Sequence, residues 1–163
     1  MIFLKKPDDE DVKFIHMLWN DEATMEAVGG STNMSFNDVK EWYNDMNSTS
    51  LKTGLYTLII DGKKPVGEVS FRGFDEEARE AWFNIKVLST YRNKGYAVQA
   101  AQLILKEFFI TFNGSRMLDN LSITNIQGQK FLEKLGFCVI RKTDEEIVYS
   151  LEKNTFLNKL NNY

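Results

Sequence analysis

The chain has 163 residues, 43% hydrophobic and 26% charged, with two prolines. That length fits one domain with a real core, and the composition argues against the disordered, fibrous and membrane classes. A net charge of −3 argues against a duplex-binding face, which needs concentrated positive charge, so no nucleic-acid partner is expected. One cysteine, Cys138, permits no internal disulfide, and one histidine, His16, leaves no cluster for zinc, so no metal is expected.

The N-terminal stretch MIFLKKPDDEDVK has too short an apolar run for a signal peptide, and the longest apolar helix pattern is interrupted by Gln99, Gln102, Lys106 and Glu107. The chain therefore reads as cytoplasmic, with no membrane partner. Residues 2 to 5 predict a first strand. A helix follows from about Pro7 to Trp19, with acidic Asp8 to Asp11 in its first turn, where carboxylates suit the positive dipole end. Residues 21 to 28 suggest a short second helix, and SFNDVKEWYNDM a third, capped by Ser35. His16, at the edge of an apolar helix face, reads as structural.

GLYTLII, the turn at Asp61 and Gly62, and PVGEVSFRGF form a strong hairpin signal, and REAWFNIKVL adds a third strand. After Gly95 the apolar residues Val98, Ala101, Leu105, Phe108 and Phe112 recur at helical spacing. RMLDNLSI then predicts a strand, Ile126 to Leu135 a helix ending at Gly136, and FCVIRK and EEIVYSL two last strands. Cys138, inside FCVI, reads as a small buried thiol. This order predicts a single α/β (α+β) domain over residues 1–163. Its sheet is mixed, with helices on both faces, and residues 152–163 form a C-terminal extension.

The junction STYRNKGYAVQAAQLILKEFF puts a basic, glycine-containing turn before that long helix. Unpaired N–H groups and the positive dipole end of a helix start favour an anion, here a phosphate. RNKGYA, residues 92 to 97, matches the R/Q-x-x-G-x-G/A loop of the GNAT superfamily of acyl-CoA-dependent N-acetyltransferases. NIQGQKFLEKLGF, residues 125 to 137, resembles the second motif of that superfamily. The beginning of the chain and REAWFNI look most like the branch of ribosomal-protein and spermidine acetyltransferases.

The resemblance implies a mostly antiparallel sheet with a splayed strand pair that binds acetyl-CoA. It places the pyrophosphate against Arg92, Asn93, Lys94, Gly95, Tyr96 and Ala97, and the pantetheine arm along Asn84, Ile85, Lys86 and Val87 by strand addition. Asn125 would meet that arm, and Gln129 and Lys130 the CoA end. The acceptor would be a small cationic amine, a polyamine or a protein N-terminus, with Trp19, Phe71 and Trp82 as walls. A homodimer follows from branch resemblance alone.

A Lys-like amine of pKa about 10.4 must lose a proton before it attacks a thioester, which calls for a base. Glu80 is the first candidate, since alternation puts it on one face with Trp82 and Asn84, and Glu68 is the second. The Ile85 N–H is the candidate for stabilising negative charge on the thioester oxygen. Leu132 stands where many members carry an acidic Tyr, and Gly128 where the ribosomal-protein branch often has Ser. The general acid therefore stays open among Tyr91, Ser70, Ser122 and water. The alternative is a non-catalytic acyl-CoA-binding or regulatory module.

Overall fold

The computed structural model describes residues 1–49 and 53–162. The strands β1 (Ile2–Lys5), β2 (Leu55–Asp61), β3 (Lys64–Asp75), β4 (Glu80–Val87), β5 (Arg116–Ser122), β6 (Cys138–Lys142) and β7 (Glu146–Glu152) form one sheet. Their spatial order is β1-β2-β3-β4-β5-β7-β6, and every neighbouring pair is antiparallel except β4 with β5. The mixed, mostly antiparallel sheet expected from the sequence is thus observed.

Helices α1 (Val12–Asn20), α2 (Glu22–Met25) and α3 (Phe36–Thr49) precede the meander. The sequence predicts α1 from Pro7, but the regular helix begins later, behind a 3-10 turn at Asp9–Asp11. There Asp8 and Asp11 form a capping box, and the Lys5 ammonium donates to both carboxylates, at 2.7 and 2.8 Å. The acidic run is therefore occupied locally. Ser35 caps α3 as expected: its hydroxyl accepts from the Asp38 N–H at 3.1 Å while Asp38 accepts from the Ser35 N–H at 2.9 Å.

The sheet separates two apolar layers. On one face Val12 and Ile15 of α1 and Val39 and Tyr43 of α3 bury Leu58 and Ile60 of β2. On the other, α4 (Tyr96–Lys106) and α5 (Ile126–Leu135) cover Val69, Phe71, Phe83, Met117 and Leu151. The residues of α4 that pack there, Ala100, Ala101, Ile104 and Leu105, recur at helical spacing, which is why a single stripe buries completely. Helix α6 (Lys153–Leu160) closes this layer, stacking Phe156 on Phe109 with ring centroids 5.1 Å apart. The C-terminal segment is thus part of the core, packed on its own domain.

One expectation is corrected. Cys138 is exposed, because β6 is the last strand of the sheet and all five of its residues face solvent. The apolar run FCVI buries only Phe137, which precedes the strand. His16 is structural as expected, its Nε2 within 3.0 Å of the Met34 carbonyl oxygen and its ring edge-on to Phe36.

Because Phe156 is 4% exposed, Phe156→Ala should cost about 3–5 kcal/mol by urea unfolding. An unchanged midpoint would mean that α6 is not part of the cooperative core.

Candidate active site

The parallel ladder between β4 and β5 has three rungs: Glu80 with Arg116, Ala81 with Met117 and Trp82 with Leu118. Beyond Trp82 the strands part. β4 stays on β3 as far as Val87 opposite Gly67, and β5 stays on β7 as far as Ser122. Gly67 permits the first of these, because a Cβ there would lie 2.2 Å from the Lys86 carbonyl oxygen. The edges of β4 and β5 that face each other are left without a strand between them, and unpaired main-chain groups need a partner.

A groove of about 920 Å³ fills this fork. Its floor is β4 from Trp82 to Val87, one wall is β5 from Asp119 to Ser122, and its far end is the turn before α4. Gly95, at φ +78°, forms the N-cap of α4, and a Cβ there would have only the Gln99 side chain within 4 Å. The left-handed backbone lets the turn direct the helix start into open space. Several bonds hold this turn in place. The Ser89 N–H donates to Thr24 Oγ1 at 2.8 Å, Arg92 donates to the Thr24 carbonyl at 3.0 Å, and the Tyr96 hydroxyl donates to Asp61 at 2.5 Å. The Thr24 hydroxyl, together with that of Ser89 at 3.0 Å, holds the Asp21 carboxyl below its ordinary range.

On the α1 and α3 face of the sheet lies a second cavity of about 410 Å³, which shares Arg72, Asn84 and Lys86 with the groove. Trp19, Trp42 and Tyr56 line it, with Trp42 edge-on to the other two rings at 4.6 and 5.0 Å. Glu68, 1% exposed, sits at its base. Four donors converge on this carboxylate: Trp19 Nε1 at 2.8 Å, the Tyr56 hydroxyl at 2.5 Å, Asn84 at 3.2 Å and the Lys86 ammonium at 2.9 Å. Burial and the Glu68 charge push the Tyr56 phenol far above its usual range, so it stays a donor.

Of the residues singled out in the sequence, Ile85, Lys86, Val87, Arg92, Asn93, Gly95, Tyr96, Ala97, Asn125 and Trp82 line the groove. Trp19 and Phe71 line the second cavity. Lys94, Lys130 and Glu80 line neither space. Lys94 instead lies over the Tyr91 ring at 5.3 Å. Glu80 stands at the closed end of the fork, where its Oε1 accepts two bonds from Arg116, one from Nε at 2.8 Å and one from a terminal guanidinium nitrogen. Gln129 is turned back onto the Ile123 carbonyl at 2.9 Å.

Two residues at the fork escape sequence reasoning. The Arg72 side chain makes no hydrogen bond or ion pair among the described residues and borders both spaces. Asp119 is the first residue of β5 past the last rung, and burial pushes its carboxyl up to about 7 against the opposing pull of Arg72 and Lys86. A lone Asp in a strand pattern carries no signal of this, since its burial depends on where β4 departs.

Residues 2–138 match the model of the acetyltransferase (GNAT) domain. The chain belongs to this family. Among curated proteins it is similar to the uncharacterized N-acetyltransferase YjdG of Bacillus subtilis (strain 168), with 32% identity over 85 residues, 52% of this chain and 51% of that protein. The match therefore spans about half the length of that relative. Among solved structures it superposes on spermidine N-acetyltransferase from Vibrio cholerae in complex with CoA and spermine, with TM-score 0.88, 20% identity, and 96% and 98% of the two chains covered. It is also similar to apo FdhC, a nucleotide-linked sugar GNAT, with TM-score 0.85, 22% identity, and 99% and 92% covered. At these identities the two structures establish the fold.

Within the GNAT frame the departures at Gly128 and Leu132 have physical reasons. Asn125 caps α5 by accepting from the Gly128 N–H at 2.9 Å, and a Cβ on Gly128 would fall 2.6 Å from that carboxamide. A serine there would have to displace the cap. Leu132 is 1% exposed and belongs to the core beneath the groove.

Lys86 and Glu68 form a buried pair, with side chains 15% and 1% exposed. Lys86→Met leaves the carboxylate without its cation and should cost about 3–5 kcal/mol by urea unfolding. The double variant with Glu68→Gln should recover part of this loss. Equal stability of Lys86→Met and the parent chain would show that the pair is not coupled.

Proposed function

We propose that this GNAT domain transfers an acetyl group from acetyl-CoA to the primary amine of a small molecule. The observation that carries the reading is the open fork: an unpaired β4 edge that leads to a helix N-terminus on one side and to an aromatic-walled cavity on the other. An extended amide-bearing arm suits the free edge of Asn84–Val87, and a pyrophosphate suits the N–H groups around Gly95. When bound, acetyl-CoA supplies an activated acetyl thioester. The protein supplies position, an aromatic-walled cavity for the amine, and a main-chain donor, for which the Ile85 N–H is our candidate.

The second cavity supports a small acceptor rather than a protein N-terminus, because its volume is about 410 Å³ and Trp19, Trp42 and Tyr56 wall it. Its charge adds a further restriction. Lys6, Arg72 and Lys86 line it against one carboxylate, Glu68, whose acceptor positions are already filled. This balance favours an amine that carries a carboxylate or phosphate over a polyamine. The acid that protonates departing CoA is proposed among Tyr91, Ser122 and water. Tyr91 and Ser122 line the groove, whereas Ser70 lies in the amine cavity.

CoA release by the purified protein, with acetyl-CoA and a panel of amino acids, aminoalkyl phosphates, polyamines, aminoglycosides and short peptides, tests this. Release should be fastest with the anion-bearing small amines. A preference for spermidine would contradict the charge argument, and tight acetyl-CoA binding without release by any amine would favour the non-catalytic module. Gly95→Glu should abolish acetyl-CoA binding by calorimetry. Gly95→Ala, which bears the same left-handed strain of roughly 1–2 kcal/mol without the charge, should only weaken it. Unchanged affinity of the Glu variant would contradict the phosphate site.

A further inference from the structure

Three cations line the amine cavity: Lys6, Arg72 and Lys86. Lys86 is already committed, its ammonium donating to Glu68 at 2.9 Å and to Asn84 Oδ1 at 2.8 Å. Lys6 borders the cavity alone, whereas Arg72 borders both the cavity and the groove, so it stands at the junction where acceptor and thioester would meet. No carboxylate pairs with it there. Glu68 is filled by its four donors. Asp119, whose carboxyl feels the Arg72 charge, lies on the other face of the sheet, because Leu118 is the residue of β5 in register with Trp82 and Asp119 follows it.

The backbone holds Arg72 in this place. Glu68, Ser70 and Arg72 share one face of β3, opposite Lys86, Asn84 and Trp82 of β4. Directly after Arg72 the ladder breaks: β3 uses three residues from Arg72 to Asp75 where β4 uses two from Trp82 to Glu80, and Gly73 turns through φ +63°. Such a bulge bends its strand and re-aims the side chain beside it. On the other side of β3, Gly54 lies so close that a Cβ on it would fall 2.9 Å from the Arg72 Cα, and the Phe74 N–H donates to the Thr53 carbonyl at 2.8 Å. Thr53 and Gly54 line the same cavity. Arg72 is therefore fixed by its main chain, while its guanidinium stays free of protein partners among the described residues.

We propose that Arg72 is the specificity-determining residue of this enzyme: its guanidinium holds the anionic end of the acceptor, a carboxylate or a phosphate, while the amine points to the free edge of β4. The proposal rests on the transferase reading and names the group that recognises its substrate. A guanidinium presents its donors in a planar fork that matches two oxygens of either anion. An amine without the anion forfeits these bonds, so the discrimination lies in binding.

The test uses the intact chain, acetyl-CoA and matched amines that differ only in the anion: an amino acid with its carboxamide, and an aminoalkyl phosphate with its amino alcohol. Arg72→Gln should raise KM for the anionic member by roughly 10–10²-fold with little change in kcat, and leave KM for the neutral member as it was. Arg72→Lys, which keeps the charge without the fork, should recover part of the loss. The pair that the parent chain separates more strongly tells carboxylate from phosphate. An equal loss on both members would mean that Arg72 only supports the fold, and a weaker acetyl-CoA affinity in Arg72→Gln would place it on the cosubstrate. Either result, or an unchanged KM for the anionic amine, would overturn the assignment.

Binding separates this assignment from the reading beneath it. The anionic amines are titrated by calorimetry into the protein saturated with CoA, which has no acetyl group to give, and their affinity should fall in Arg72→Gln by the same factor. That fall, with no turnover by the parent chain, would keep the anion site and overturn the transferase reading. Turnover with unchanged discrimination in the variant would do the reverse. No binding of any anionic amine to the parent chain would overturn the assignment.

Discussion

The parting of β4 from β5 after three rungs is the constraint on which the rest of the site depends. A sheet interior normally satisfies its own main chain, and an opened pair leaves N–H and C=O groups that must find other partners. Here the opening is held from both sides. Gly67 keeps β4 against β3 to its end, and seven consecutive pairs keep β5 on β7. The helices then place chemistry around a gap that the sheet has already made: α4 brings its N-terminus, α5 its capped first turn, and α1 and α3 the aromatic walls.

The polar groups at the junction are fixed by a buried network rather than by surface pairs. Glu68 gathers donors from α1, β2 and β4. Such a buried carboxylate is costly unless every lone pair is met, and here it orients Asn84 and Lys86 at the point where groove and cavity join. The salt bridges of Lys5 with Asp8 and of Arg141 with Glu146 lie on the exposed surface and add little by comparison. No helix among the described residues is long and apolar enough to cross a membrane.

Much of this was legible in the sequence because the signals are local. The Asp61–Gly62 turn, the Ser35 cap and the Gly136 stop depend on neighbours a few residues away and lie where expected, as does the α4 stripe as far as Leu105; beyond Lys106 the expected α-helical spacing to Phe112 gives way to a π-helical turn at Glu107–Thr111. The glycine turn before α4 and the Asn125 cap were legible for the same reason. What was not legible depends on tertiary position. Alternation correctly groups Glu80 with Trp82 and Asn84, but it cannot say where along the strand the fork opens, and Glu80 falls on the closed side. Asp119 is unremarkable in RMLDNLSI and acquires its properties only from the gap beside it. Cys138 sits in an apolar run that reads as core, yet its strand is an edge.

The most direct measurement of the central claim is backbone hydrogen exchange of the intact protein with and without acetyl-CoA. The account predicts slowed exchange of the amides of Asn84–Val87 on the free edge of β4, together with those of Gly95–Ala97 at the start of α4. Binding accompanied by unchanged exchange at both segments would mean that the fork is not where the cosubstrate lies.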